Sequence, residues 1–253
     1  MSSTALSVNL NKIALIRNSR EGSYPCVVKH AQTCLEAGAE GITVHPRPDQ
    51  RHIRPQDVFD LAALVAPLDG IEFNVEGNPF AGPQEGYPGF MALVEQSRPD
   101  QVTLVPDSDD QLTSDHGFDL TTSADTLRPI IEQLHQWGCR VSLFMDPDVE
   151  QIKLAKQVGT DRIELYTGPY AAAYRQQSDD LDTLFQQYYQ AAEAAAELGL
   201  GLNAGHDLDL DNLARFRGIP QLLEVSIGHA LTVDSIAMGM SEAVRRYHQI
   251  CQA

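Results

Sequence analysis

Residues 138–166 read GCRVSLFMDPDVEQIKLAKQVGTDRIELY, and they hold one complete structural period. Gly138 precedes a short apolar run at 141–144. Apolar residues then recur at helical spacing over 149–158, and Gly159 leads into a second apolar run at 162–166. A strand, a helix and another strand within about thirty residues make a βαβ unit, whose two strands lie parallel. A glycine closing each helical stretch suits the left-handed conformation that ends helices.

The same period extends in both directions. Strand-like runs fall at 6–10, 41–45, 71–75 and 101–105 before this segment, and at 200–203 and 223–227 after it. Helical spacing covers 27–37, 55–65, 90–97, 124–137, 170–198, 210–216 and 235–249, with Gly38 and Gly199 again placed just ahead of strands. Strands that alternate with helices predict a parallel sheet. Eight units over 253 residues predict a (β/α)8 TIM barrel with extra helical segments, forming a single domain over 1–253. An open doubly wound sheet is the competing arrangement, but no G-x-G-x-x-G follows the first strand.

Apolar residues make up 43% and charged residues 21%, enough to bury a full core and to exclude a disordered or fibrous chain. The net charge of −17 argues against broad nucleic-acid binding and against docking on anionic membrane. Cys26, Cys34, Cys139 and Cys251 form no C-x-x-C or His/Cys metal pattern and are expected to be reduced thiols, mostly buried. The start of the chain shows no secretory signal, and no apolar run approaches a membrane span, so a soluble cytoplasmic protein is expected.

Barrels of this kind place their chemistry at the C-terminal ends of the strands. Several polar residues fall there: His45, the segment Asn203-Ala204-Gly205-His206, and Gly228-His229. Glu72 and Asn74 share one face of the third strand, and Glu164 interrupts an apolar sixth strand. A carboxylate within an apolar strand is costly unless paired or functional, so a structural ion pair is the alternative for either glutamate. Arginines 47, 51 and 54 with His52, and Arg17 and Arg20 after the first strand, suggest an anion site; a surface salt-bridge network is the alternative. The backbone at Ser226–Ala230 occupies the loop where such barrels commonly bind phosphate. The long acidic loop at 106–123, with Thr113 and the turn at 115–117, has the length of a lid.

Five stretches taken in order resemble the pyridoxine 5′-phosphate synthase family over nearly the whole chain. They are Gly41-Ile42-Thr43-Val44-His45 with Arg51-His52-Ile53, Val141-Ser142-Leu143-Phe144, Glu164-Leu165-Tyr166-Thr167-Gly168, Asn203-Ala204-Gly205-His206, and Ile227-Gly228-His229-Ala230. The resemblance implies a TIM barrel, a homo-octamer, and the condensation of 3-amino-2-oxopropyl phosphate with 1-deoxy-D-xylulose 5-phosphate. The products are pyridoxine 5′-phosphate, inorganic phosphate and water, with no metal and no organic cofactor. It implies that His45 and Glu72 accept protons, His206 donates one, and Glu164 stabilises the transition state. Asn9, Arg20, the backbone at Asp207, and Gly228-His229 would hold the aminoketone phosphate. Asn11, Lys12, Arg47, His52 and Thr113 would meet the pentulose phosphate. Well-known members carry Asp-His where this chain has Asn11-Lys12, and a glycine where it has Asp207.

Two other classes fit the anion-binding features. Another phosphosugar barrel enzyme, an isomerase or aldolase, is one; a Schiff-base aldolase would want a lysine in a barrel strand, and the predicted strands have none. A non-catalytic phosphate-binding module is the other, and it leaves the carboxylates within the strands without a purpose.

Overall fold

A computed structural model describes residues 3–108 and 111–253. Met1, Ser2, Asp109 and Asp110, which belong to the N-terminal and acidic-loop readings, lie outside the described residues. Eight parallel strands close on one another in chain order: β1 (Ala5–Asn9), β2 (Gly41–Val44), β3 (Glu72–Gly77), β4 (Gln101–Leu104), β5 (Arg140–Met145), β6 (Arg162–Tyr166), β7 (Gly201–His206) and β8 (Leu222–Ile227). β8 pairs with β1 through Ala5–Glu224 and Val8–Ile227, which removes both sheet edges.

The helices are α1 (Asn11–Asn18), α2 (Val27–Glu36), α3 (Pro55–Val65), α4 (Phe90–Ser97), α5 (Leu120–Gln136), α6 (Val149–Val158), α7 (Gly168–Gln176), α8 (Leu181–Glu197), α9 (Leu213–Phe216), α10 (His229–Met238) and α11 (Met240–Gln252). The unit quoted first folds as its sequence reads. The Asp148 side chain accepts from the N–H groups of Glu150 and Gln151 at 2.8 and 3.2 Å, and Gly159 ends α6 at φ 100°. Gly38, Gly138 and Gly199 also have positive φ.

Two helical readings change, and one helix is added. The stretch 170–198 is two helices, because Gln177 turns left-handed at φ 51° and the Ser178 N–H bonds back to Ala173 O at 3.0 Å. Both halves pack on the same core, so the apolar period runs through the break unmarked. The stretch 235–249 divides at Gly239, where φ is 85° and ψ 148°, giving α10 and α11. The eight-residue helix α1, which buries Ile13, Ala14 and Arg17, carries little periodicity to find.

Strand alternation sorts the side chains. Leu6, Val8, Ile42, Val44, Val75, Val102, Leu143 and Ile163 point outward and meet the helices, forming the hydrophobic core between the two layers. The positions between them point inward, and here they are polar. Ser7 bonds Thr43 at 2.7 Å, Asn74 donates to Thr103 Oγ1 at 3.1 Å, and Asn203 donates to Gln101 at 3.2 Å. Barrels of this kind more often fill that space with branched apolar side chains. Hydrogen-bonded polar groups instead occupy this interior at successive levels. Among the described residues, no helix is long and apolar enough to cross a membrane. The four cysteines are free thiols, with Cys34, Cys139 and Cys251 buried and Cys26 half-buried.

Candidate active site

A cavity of about 350 Å³ opens at the C-terminal mouth of the barrel. Asn9, Asn11, Lys12, His45, Arg47, His52, Thr113, Glu164, His206, Asp207, Gly228 and His229, all singled out in the sequence, line it. Strand ends and following loops far apart in sequence supply them, which is the placement parallel barrels impose.

Glu72 is elsewhere, and its expected role as proton acceptor is corrected. It is the first residue of β3, at the N-terminal mouth, where Arg140 grips both carboxylate oxygens. Partial burial pushes its carboxyl up, but the Arg140 hydrogen bonds and charge hold it below the ordinary value. The group that reaches the cavity is Glu76. Both residues share the inward face, but four residues at about 3.3 Å each place Glu76 about 13 Å further along the strand. Reading the third strand as 71–75 stopped one residue short of it; β3 continues to Gly77.

The arginines separate as well. Arg17 is buried and paired with Asp57, and its Nη2 donates to His52 O at 3.0 Å, so it braces the loop after β2 rather than an anion. Arg20 is exposed beyond α1 and does not line the cavity within this chain. Arg47 and Arg51 do line it, with Lys12 and four histidines. Arg51 donates to Gln111 O at 2.8 Å, joining the β2 loop to the loop after β4.

Along one wall, Asn9 Oδ1 accepts from the Asn11 N–H at 3.0 Å, and Asn11 Oδ1 accepts from the His45 N–H at 2.9 Å. Asn9 Nδ2 donates to Glu76 Oε2 at 3.3 Å. His45 Nδ1 stands 4.0 Å from that same oxygen, and its Nε2 is 3.6 Å from Asp107 Oδ2. Across the cavity, His206 Nδ1 meets Asp207 Oδ2 at 2.8 Å and its Nε2 meets Thr113 Oγ1 at 2.6 Å. A carboxylate only accepts, so Nδ1 carries the proton and Nε2 faces the hydroxyl. His206 has φ 96°, a strained value for a side-chain-bearing residue, and these two hydrogen bonds lock its ring. The neighbouring Gly205 leaves room for Glu164, because a Cβ there would displace its Oε1 and press on Ser226 O.

The protonation states follow from burial. Glu76 is pushed up to about 8 by burial and by the negative charges of Glu224 and Asp107. Burial, Glu76 and Glu224 drive Glu164 well above the usual carboxylate range. Burial with the cations Arg47 and Arg51 and the neighbouring His52 and His206 holds His45 well below the ordinary imidazole value. His52 falls to about 3, chiefly through burial, and its Nδ1 accepts from the Ile53 N–H at 2.9 Å. Near neutral pH the floor therefore offers protonated carboxylic acids beside neutral imidazoles, while Lys12, Arg47 and Arg51 crowd the rim. The N-terminus of α10, beginning at Gly228-His229, faces the same space and suits an anion. Among the described residues, no three His, Cys, Asp or Glu side chains gather as a metal site.

The fold is a (β/α)8 barrel whose C-terminal mouth gathers cationic, imidazole and carboxyl side chains around one cavity, the setting of a barrel enzyme. The family described as pyridoxal phosphate biosynthesis protein PdxJ matches residues 6–253. A Xylella fastidiosa (strain 9a5c) protein named pyridoxine 5′-phosphate synthase is 53% identical over 248 residues, covering 98% of this chain and 94% of that protein. A protein of the same name from Xanthomonas campestris pv. campestris (strain B100) is 55% identical over 247 residues, covering 97% and 95%. The chain belongs to the PdxJ family and is an enzyme of pyridoxine 5′-phosphate synthesis. The solved structure of 3-hexulose-6-phosphate synthase from Salmonella typhimurium superimposes with TM-score 0.64 at 14% identity, covering 98% of each chain, and shows the shared fold alone.

Proposed function

We propose that this cavity condenses 3-amino-2-oxopropyl phosphate with 1-deoxy-D-xylulose 5-phosphate into pyridoxine 5′-phosphate, releasing inorganic phosphate and water. The observation that carries this reading is the meeting of His45, Glu76, Glu164 and His206 on one cavity rimmed by cations. Joining an amine to a ketone expels water, and closing an aromatic ring removes protons from carbon while leaving oxygens gain them. Neutral imidazoles and un-ionised carboxylic acids supply both directions of transfer near neutral pH. Holding two anionic substrates together also removes much of the entropic barrier to a two-substrate reaction.

In this reading His45 accepts protons, and Glu76 stands in the place first given to Glu72 but starts from its un-ionised form, giving up a proton before it accepts one. Glu164 supports the transition state as a hydrogen-bond donor, and His206 returns a proton through Nε2. Lys12, Arg47, His52, Asn11 and Thr113 receive the pentulose phosphate. Asn9, the backbone at Asp207, and Gly228-His229 receive the aminoketone phosphate. A single domain, a homo-octamer and a cytoplasmic location complete the reading; sedimentation of the purified protein tests the assembly. The deciding assay mixes the two substrates with the protein and measures pyridoxine 5′-phosphate and released phosphate. Absence of both products rejects the assignment. Binding of either substrate without turnover would favour the non-catalytic alternative.

A further inference from the structure

Asp107 follows β4 and is only 4% exposed, yet three different groups converge on it. Its Oδ2 accepts from Ser114 Oγ at 2.8 Å, is ion-paired with Arg47, and stands 3.6 Å from His45 Nε2. Its Oδ1 is buried and has no hydrogen-bond partner among the described residues. This carboxylate therefore keeps accepting capacity in reserve, a short movement away from an imidazole nitrogen.

We propose that Asp107 is a positioning residue that couples phosphate capture to proton transfer. Before substrate binds it holds Arg47; when a substrate phosphate takes over that guanidinium, Asp107 receives the Nε2–H of His45. The proposal rests on Arg47 as a phosphate ligand and His45 as a proton acceptor, as read above.

The physical case has two parts. A phosphate carries more charge and more acceptor oxygens than a carboxylate, so it competes successfully for the Arg47 fork. The released carboxylate then sets the tautomer of His45. With Nε2–H donated to Asp107, Nδ1 is left as the accepting atom, on the side of Glu76 Oε2 at 4.0 Å. The carboxylate also stabilises the imidazolium as the proton arrives, as the aspartate of a Ser-His-Asp triad does. His45 is faced by Arg47, Arg51 and His52 from the loop after β2, His206 from β7 and Glu76 from β3. Glu76 is largely un-ionised below pH 8, so Asp107 is the adjacent anion that offsets the two arginines. Neutralising Arg47 with phosphate enlarges that offset and switches the base on when substrate is present.

The first measurement uses the wild-type protein, following the His45 imidazole by ¹⁵N NMR across pH with and without saturating inorganic phosphate, the resonance being assigned with His45→Asn. Phosphate is expected to raise the His45 midpoint by about one unit, and Asp107→Asn to abolish the rise. An unchanged wild-type midpoint overturns the proposal, as does an equal rise in Asp107→Asn. Steady-state kinetics adds a second readout. Asp107→Asn should lower kcat about 10-fold or more while KM for the phosphorylated substrates stays level or falls, because Arg47 is freed. Asp107→Glu should recover most of kcat. A raised KM with unchanged kcat in Asp107→Asn would mean that Asp107 only shapes its loop. Full turnover in His45→Asn and Arg47→Ala would instead defeat the underlying reading, independently of Asp107.

Discussion

The two ends of the barrel interior use the same residue types for opposite purposes. At the N-terminal mouth, Glu72 is gripped by Arg140, and Glu224 lies 3.3 Å from Arg162 while accepting from Gln101 and Asn203 at 3.3 and 3.2 Å. Those carboxylates are paired, although burial still holds Glu224 above its ordinary value against the pull of Arg162 and Arg140, and the lower barrel is a structural lattice. At the C-terminal mouth, Glu76 accepts from an amide, and Glu164 meets a threonine hydroxyl at 3.5 Å. Among the described residues neither is paired with a guanidinium, so burial keeps the protons on these carboxyls. Alternation places all four glutamates on the inner face; pairing decides which of them can exchange a proton near neutral pH.

The largest expected effect separates the two glutamates of β3. Glu76→Gln should lower kcat by roughly 10²-fold or more, the scale of a general acid–base group, while Glu72→Gln should leave kcat within a few-fold. Equal losses in the two variants would erase the distinction between the ends.

Stability should show the reverse pattern, on a smaller scale. Glu72→Gln breaks a half-exposed bidentate pair and should cost about 1 kcal/mol, read by denaturant unfolding at neutral pH. Because Arg140 depresses Glu72, that contribution is present above the unfolded carboxyl value, and it disappears as pH falls through the lower folded value. The gap between wild type and Glu72→Gln should therefore close in acid.

Glu76 carries the opposite sign. Its folded value is raised to about 8, so its neutral form is favoured on folding and stability declines as pH rises from the unfolded carboxylate range toward pH 8. Glu76→Gln removes this slope and should gain on the wild type across that window in parallel melts. In activity, the un-ionised carboxyl is lost above about pH 8, which should set the alkaline limb of the wild-type kcat profile. A profile flat through pH 9 would take the Glu76 proton out of the reaction.

The smallest effect concerns the rim. Lys12 lines the cavity with Arg47 and His52, and its charge contributes to holding His52 down. Lys12→Ala should raise KM for 1-deoxy-D-xylulose 5-phosphate several-fold, with less sensitivity to salt and little change in kcat. A large fall in kcat at unchanged KM would instead give Lys12 a part in proton transfer.

The architecture was legible because it rests on local periodicity. Apolar runs alternate with helical spacing in each βα unit, several helices are closed by a glycine, and strands of that kind join as a parallel sheet. The helix breaks at Gln177 and Gly239 escaped notice because packing on a common core keeps the apolar period running through them. Most cavity residues were found because parallel strands must deliver their C-terminal ends to one mouth, and the family resemblance supplied their individual roles.

What the sequence by itself determined is the alternation: which residues face inward, which face the helices, and which loops share a mouth. Tertiary structure alone decided the rest. Glu72 and Glu76 share one face of one strand, and only the strand's true end and the reach of Arg140 show that one is a structural ion pair while the other lines the cavity. Arg17 and Arg47 both follow early strands, and only packing shows Arg17 sunk against Asp57 and Arg47 placed between Asp107 and the cavity. The reason is electrostatic. The state of a buried charge depends on what lies within a few ångströms of it, and those neighbours come from distant parts of the chain.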